Sequence, residues 1–186
     1  TTLSLFTADN KSVNPSSGLS ITAKTQVLTV RALDQFGQTM VTQPEFQWST
    51  LSSPSGAAPT LTPSGASVQI DFTKAGSYRF QVEGGGKTAA FNLTLSQVAT
   101  SLKVTGPDSS EIASGVTVAT GAASQRYSTQ VLDQFGNAMS SQPTINWTTP
   151  TVPNGGKATV SVVRDAATVA FTKAGTYTVR AQTGSA

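Results

Sequence analysis

The chain repeats itself at a constant offset, and no other feature restricts its fold so tightly. Leu33-Asp34-Gln35-Phe36-Gly37 returns as Leu132-Asp133-Gln134-Phe135-Gly136, Trp48 as Trp147, and Phe72-Thr73-Lys74-Ala75-Gly76-Ser77-Tyr78 as Phe171-Thr172-Lys173-Ala174-Gly175-Thr176-Tyr177, each 99 residues on and with no gap. Two copies of one module account for all 186 residues. The expected domains are 1–98 and 99–186, each large enough to bury its own core. Residues present in both copies serve what the copies share, which is first a fold. The repeat therefore argues against reading them as a catalytic site.

Short alternating segments, separated by Gly, Pro, Ser and Asn, predict strands in the first copy near 2–7, 17–22, 25–33, 44–50, 57–62, 66–72, 77–83 and 88–96. The second copy repeats them as far as 182, and helical periodicity is missing throughout. The fold class is all-β. Alternation then sorts the faces: Leu28, Val30 and Ala32 point inward, as do Phe46 with Trp48, Val68 with Ile70 and Phe72, and Tyr78 with Phe80 and Val82. Their counterparts are Tyr127, Thr129 and Val131, Ile145 with Trp147, Ala167 with Val169 and Phe171, and Tyr177 with Val179 and Ala181. Several of these are smaller or more polar than their partners in the first copy. The second domain should be the less stable one.

Composition removes most chemistry. With no His and no Cys, disulfides, thiolate nucleophiles, Ser-His-Asp and Cys-His catalysis and the usual zinc, haem or iron–sulfur ligand sets are excluded. Charged residues make up only 11% of the chain, against roughly 25% in an average globular protein, so hydroxyl and small side chains fill the surface. The net charge of +3 is spread singly along both copies, which gives no patch for nucleic acid. No apolar run reaches the ~20 residues of a membrane-spanning helix. Nine acids are scattered, and Glu45, Asp71 and Glu83 have no acidic counterpart in the second copy. The chain is read as a non-enzyme with no cofactor, and as an excerpt from a longer exported protein.

A Trp on the third strand, followed about thirty residues later by Gly76-Ser77-Tyr78 or Gly175-Thr176-Tyr177 opening a strand, resembles the immunoglobulin pattern with its tyrosine corner. Phe80 and Val179 stand where an antibody domain carries its second cysteine, so packing replaces the disulfide. Together with Leu-Asp-Gln-Phe-Gly and Gln-Pro, these motifs resemble the bacterial Ig-like repeats of large surface and secreted proteins, including invasin-like and polycystic-kidney-disease-like modules. The resemblance implies two tandem Ig-like β-sandwiches, an extracellular or cell-surface location in a bacterium, and a role as a spacer or stalk. The alternative is an adhesion or carbohydrate-binding accessory acting through variable loops or an open sheet edge. The partners implied are neighbouring domains of the same polypeptide, with a glycan or a surface protein as the alternative.

The candidate residues follow from this reading. Trp48, Trp147, Tyr78, Tyr177, Phe36 and Phe135 are assigned to the core, the two phenylalanines as plugs at its end, and Gly37 and Gly136 to turns that need positive φ. Asp34 and Asp133 are read as turn residues. With Asp9 and Asp108 in an equivalent early loop, the other acids at matched positions, they are also the weak candidates for a calcium ion, although such an ion wants six to eight oxygens. Loops 52–58 and 150–156 are the places for a sugar, yet they lack Trp and Tyr. Lys74 and Lys173, in the turn before the Tyr strand, are expected to be exposed rather than joined in an isopeptide bond. The joint near Gln97-Val98-Ala99-Thr100 has neither Gly nor Pro, which predicts a short, stiff connection and an elongated rod.

The copies differ at their ends. The first continues through Thr88-Ala89-Ala90-Phe91-Asn92-Leu93-Thr94-Leu95-Ser96, an alternating last strand, whereas the second stops at Ala186, the match of Lys87. The second sandwich is therefore expected to lack its last strand, either because the chain continues elsewhere or because another chain supplies it. An edge left unpaired in this way is a template for β-augmentation.

Overall fold

A computed structural model describes residues 1–112, 116–118 and 124–183, and among them there are strands and turns but no helix. The chain divides into two compact units, Thr1–Val98 and Ala99–Ala186. In the first, β1 (Thr2–Thr7), β2 (Ser12–Val13), β4 (Thr25–Leu33), β6 (Thr60–Ser64) and β7 (Ser67–Asp71) form one sheet in the order β2-β1-β4-β7-β6. The facing sheet runs β3 (Leu19–Ile21), β9 (Lys87–Leu95), β8 (Gly76–Gly84), β5 (Phe46–Ser52). All pairs are antiparallel except β3 with β9, which is parallel. Two sheets of alternating strands, each burying one face, make a sandwich.

The core follows from the alternation. Leu28, Val30 and Ala32 of β4, Val68 and Ile70 of β7, and Tyr78, Phe80 and Val82 of β8 are all buried. β9 closes the core by inserting Phe91, Leu93 and Leu95, while Asn92 and Thr94 between them face water. The rings interlock: Phe80 stacks on Phe91 at 5.5 Å between centroids and on Tyr78 at 6.0 Å, and Trp48 meets Phe91 edge-on at 6.5 Å. Such pairs add about 0.5–1.5 kcal/mol each beyond the area they bury.

The second unit repeats the plan with one change. β10 (Ala99–Thr105), β12 (Ser124–Asp133), β15 (Ala166–Phe171) and β14 (Ala158–Val163) form the sheet β10-β12-β15-β14. The other sheet is β11 (Val116–Val118), β16 (Gly175–Thr183), β13 (Ile145–Thr151). Tyr127, Val131, Ile145, Trp147, Ala167, Val169, Phe171 and Tyr177 form its buried core. Here β11 pairs directly with β16, whereas in the first unit β3 pairs with β9 and β9 with β8.

Candidate functional site

The most repeated loop is a turn held by a carboxylate. After β4, Asp34 Oδ1 accepts hydrogen bonds from the amides of Phe36 and Gln38, both at 2.9 Å, and the Asp34 amide donates to the Gln38 carbonyl at 2.8 Å. Asp133 does the same with the amides of Phe135 at 2.9 Å and Asn137 at 3.0 Å, and it is only 1% exposed. Gly37 and Gly136 take φ of 78° and 79°, the left-handed conformation that lets the loop turn back.

This tight geometry corrects the assignment of the plugs. Phe36 is 78% exposed and plugs nothing. Phe135 is half-buried. The position beneath the loop goes to the methionine that follows: Met40 and Met139 donate their amides to the carbonyls of Ala32 and Val131 at 3.0 Å, and Met139 packs on the second core.

The four acids considered for calcium are not brought together within either domain. β1 pairs with β4 from Thr2 opposite Leu33 to Thr7 opposite Leu28, so Asp34 and Asp9 lie beyond opposite ends of the pair, separated by roughly 16 Å of strand at ~3.3 Å per residue. Asp133, opposite Ala99, and Asp108, past Thr105, are divided in the same way. Their oxygens have other partners. Asp9 accepts from Thr7 Oγ1 at 2.5 Å and pairs with Lys11 at 2.7 Å, and Asp108 accepts from the amide and hydroxyl of Ser110. Among the described residues no three His, Cys, Asp or Glu side chains gather.

Lys11, followed by Thr7, holds the Asp9 carboxyl at about 2, below its ordinary 3.8. A depressed carboxylate stabilises the fold above its unfolded value, and the contribution is lost as the pH falls from about 4 toward 2. Carboxyl titration by NMR should place the Asp9 midpoint near 2, and Lys11→Gln should raise it. A midpoint unchanged in the variant would show that the ion pair is not its cause.

A backbone clamp emerges from the Gln-Pro pair, whose recurrence was visible in the sequence but whose task was not. Gln43 Oε1 accepts from the Ala32 amide at 2.7 Å, while Nε2 donates to the carbonyls of Ala32 at 3.2 Å and Met40 at 2.7 Å. Gln142 repeats this on Val131 and Met139. β7 pairs β4 only as far as Thr29, so the amide side chain continues the ladder where the strand has stopped. Gln43→Ala should cost the first domain about 2 kcal/mol in denaturant unfolding, since a buried amide loses its partner, and Gln43→Glu should also be destabilising because it cannot donate to the two carbonyls. An alanine variant as stable as the parent would remove the clamp from the account.

Tyr78 and Tyr177 each donate the phenol hydroxyl to the carbonyl four residues back, Lys74 at 2.6 Å and Lys173 at 2.8 Å. Burial pushes the Tyr78 phenol above its ordinary range. Lys74 and Lys173 are themselves exposed, and Lys173 Nζ donates to the Asn154 carbonyl. Tyr127 and Phe91 are buried, Phe6 is half-buried with the Arg31 guanidinium 4.3 Å over its ring, and Phe36 is the one exposed aromatic among the described residues. The side chains make no aromatic row for a sugar.

Behind each Gln-Pro pair lies an open recess of about 400 Å³, and here the copies disagree. Pro44, Glu45, Phe46, Gly65 and Ala66 line the first, and Pro143, Thr144, Ile145, Arg164 and Asp165 the second. One is acidic on its rim, the other carries both charges. Neither holds the converging acid, base or nucleophile that a reaction requires.

No protein-family model and no curated protein matches the chain in sequence. Solved structures do. The Escherichia coli adhesin FdeC superimposes over 98% of this chain and 59% of its own, at 14% identity and a TM-score of 0.50. Invasin, a bacterial integrin-binding protein, matches 97% of this chain and 36% of its own at 16% identity and a TM-score of 0.44. Domains 4 and 5 of the S-layer protein SbsC match 99% and 94% at 18% identity and a TM-score of 0.37. The chain thus spans about three fifths of the FdeC chain. At such identities the likeness concerns fold alone: in fold, this chain is all-β and immunoglobulin-like, of the kind found in bacterial surface proteins.

Proposed function

We propose that the chain is a non-catalytic structural module of a bacterial surface or secreted protein, where it spaces or presents other domains. One observation carries this reading. The side chains kept in both copies, Asp34 and Asp133, Gln43 and Gln142, Tyr78 and Tyr177, all bond to the backbone of their own domain. The residues that line the recesses differ. Selection for a shared ligand would act on the second group, and selection for a shared scaffold acts on the first. The fold likeness to FdeC, named as an adhesin, supports the surface setting.

Stretching the purified chain by its ends tests the proposal. A spacer built from two self-sufficient sandwiches should give two separate force peaks, each releasing roughly 300 Å of chain at about 3.3–3.6 Å per residue. A single low-force extension would oppose a load-bearing role. A screen against glycans and extracellular matrix proteins should give no saturable hit.

One observation favours contact with a neighbouring domain or a surface protein as well. Phe36 and Val41 are exposed on the same loop, beside the start of β1. Exposed apolar side chains of this size commonly mark a docking face. Phe36→Ser should leave the first domain as stable as before while weakening any such contact.

A further inference from the structure

Asn154-Gly155 is the one Asn-Gly pair in the chain, and it occupies a tight turn between β13 and β14. The Gly156 amide donates to the Pro153 carbonyl at 2.8 Å and Gly155 has φ of 71°, so Asn154 and Gly155 are the central pair of a type II turn. The first copy builds the same turn from Pro54-Ser55-Gly56-Ala57, with the Ala57 amide donating to the Pro54 carbonyl at 3.1 Å and Gly56 at φ of 69°. A side-chain amide thus stands in the second copy where a hydroxyl stands in the first.

Three features converge on the peptide bond between Asn154 and Gly155. Its N–H is unused: in a type II turn the closing hydrogen bond belongs to the next residue, and among the described residues the Gly155 amide has no acceptor. Its nitrogen is also unhindered, because glycine has no Cβ to shield it. Its carbonyl accepts from Lys173 Nζ at 3.1 Å. A cation on that oxygen draws electron density out of the peptide unit and favours the anion left when the nitrogen loses its proton. Beside it the Asn154 side chain is exposed and has no hydrogen-bond partner among the described residues, so Cγ can turn toward the nitrogen.

We propose that Asn154 is a self-modifying site, which loses ammonia by closing on the Gly155 nitrogen and reopens as aspartate or isoaspartate, with Lys173 activating the peptide group that attacks. Hydroxide takes the Gly155 amide proton, the nitrogen forms a bond to Asn154 Cγ, the Cγ–Nδ2 bond breaks, and ammonia leaves with a proton from water. Water then adds to one of the two imide carbonyls and the ring opens. Addition at Cγ leaves aspartate, and addition at the backbone carbonyl leaves a chain that runs through Cβ.

Either product places a carboxylate within reach of Lys173 and lowers the net charge of +3 by one. The turn of the first copy is inert to this reaction, since the Ser55 side chain has no carbonyl carbon to attack. The scaffold is spared as well, because Tyr177 donates to the backbone carbonyl of Lys173 and not to its side chain. The reaction therefore recharges a loop in which the copies differ and leaves the shared bonds of the fold in place.

The test is to hold the purified 186-residue chain at mildly alkaline pH and follow intact mass and peptide maps over time. The mass should rise by an amide-to-acid exchange confined to Asn154, faster as the pH is raised, and isoaspartate should appear at that residue. Asn154→Ser, which installs the residue of the first copy, should abolish the change. Lys173→Met should slow it severalfold and Lys173→Arg should restore it. Unfolding in urea should erase the difference between the parent and Lys173→Met, since only the fold brings Lys173 to the turn. The proposal is overturned if the mass stays constant, if another Asn reacts first, or if Lys173→Met reacts as fast as the parent. It is overturned equally if the mass falls by one ammonia and stays there in base, which would show Lys173 Nζ joined to Asn154 Cγ instead.

Discussion

Gly76→Ala should destabilise the first domain by about 3 kcal/mol, and Gly175→Ala should do the same to the second. Gly76 and Gly175 have φ of 147° and 149°, a region essentially restricted to glycine, where another residue costs of order 1–3 kcal/mol. Space is also missing. A Cβ on Gly76 would stand 2.6 Å from Pro54 Cγ, and one on Gly175 2.8 Å from Pro153 Cβ, so a rigid proline ring would have to move at a further cost of about 1–3 kcal/mol. Gly37→Ala supplies the contrast. Its φ is also positive, but nothing lies within 4 Å of the added carbon, and its cost should stay near 1 kcal/mol. Urea unfolding of the three variants reads the difference. Equal losses at Gly37 and Gly76 would mean that backbone conformation alone, without the proline, sets the effect.

Phe91→Ala should cost the first domain about 3–5 kcal/mol, the range for removing a buried ring. Phe91 is 1% exposed and contacts both Phe80 and Trp48. The variant removes the central insertion of β9 and so brings the first domain toward the condition of the second, where Val179, the match of Phe80, is only partly buried. Trp48 fluorescence should then report a lower transition for the first domain while the second is unchanged. A loss under 1 kcal/mol would show that β9 contributes little more than its backbone ladder.

Much of the fold could be read from alternation, because a sandwich strand must alternate to bury one face. Leu28, Val30, Ala32, Val68, Ile70, Tyr78, Phe80 and Val82 are inward for this reason. What alternation does not encode is which strand neighbours which. Alternation does not say that β11 pairs with β16 while β3 pairs with β9. The same gap explains the acids. Asp9 and Asp34 look like two members of a loop cluster until the antiparallel register of β1 and β4 puts a strand's length between them. Side-chain size suggests burial for Phe36, yet it is exposed while Phe135 on the same carboxylate-held turn is half-buried, so neither size nor the turn motif alone encodes the outcome. The Gln43 clamp left a trace in the repeated Gln-Pro, but a polar residue in a loop does not announce which backbone groups it will satisfy.

Phe80 and Val82 are buried in the first domain while their matches Val179 and Ala181 are only partly buried in the second, and each domain has one tryptophan to report the consequence. In Trp48→Phe the remaining Trp147 reports an unaltered second domain, and in Trp147→Phe the remaining Trp48 reports an unaltered first. Neither indole Nε1 has a hydrogen-bond acceptor among the described residues, so the phenylalanine exchanges sacrifice packing but no hydrogen bond. Thermal unfolding followed by fluorescence in the two variants should give two midpoints. Trp147 should melt first, by roughly 5–15 °C if the deficit is about 1–2 kcal/mol. Coincident midpoints, or a second domain that melts last, would contradict this order.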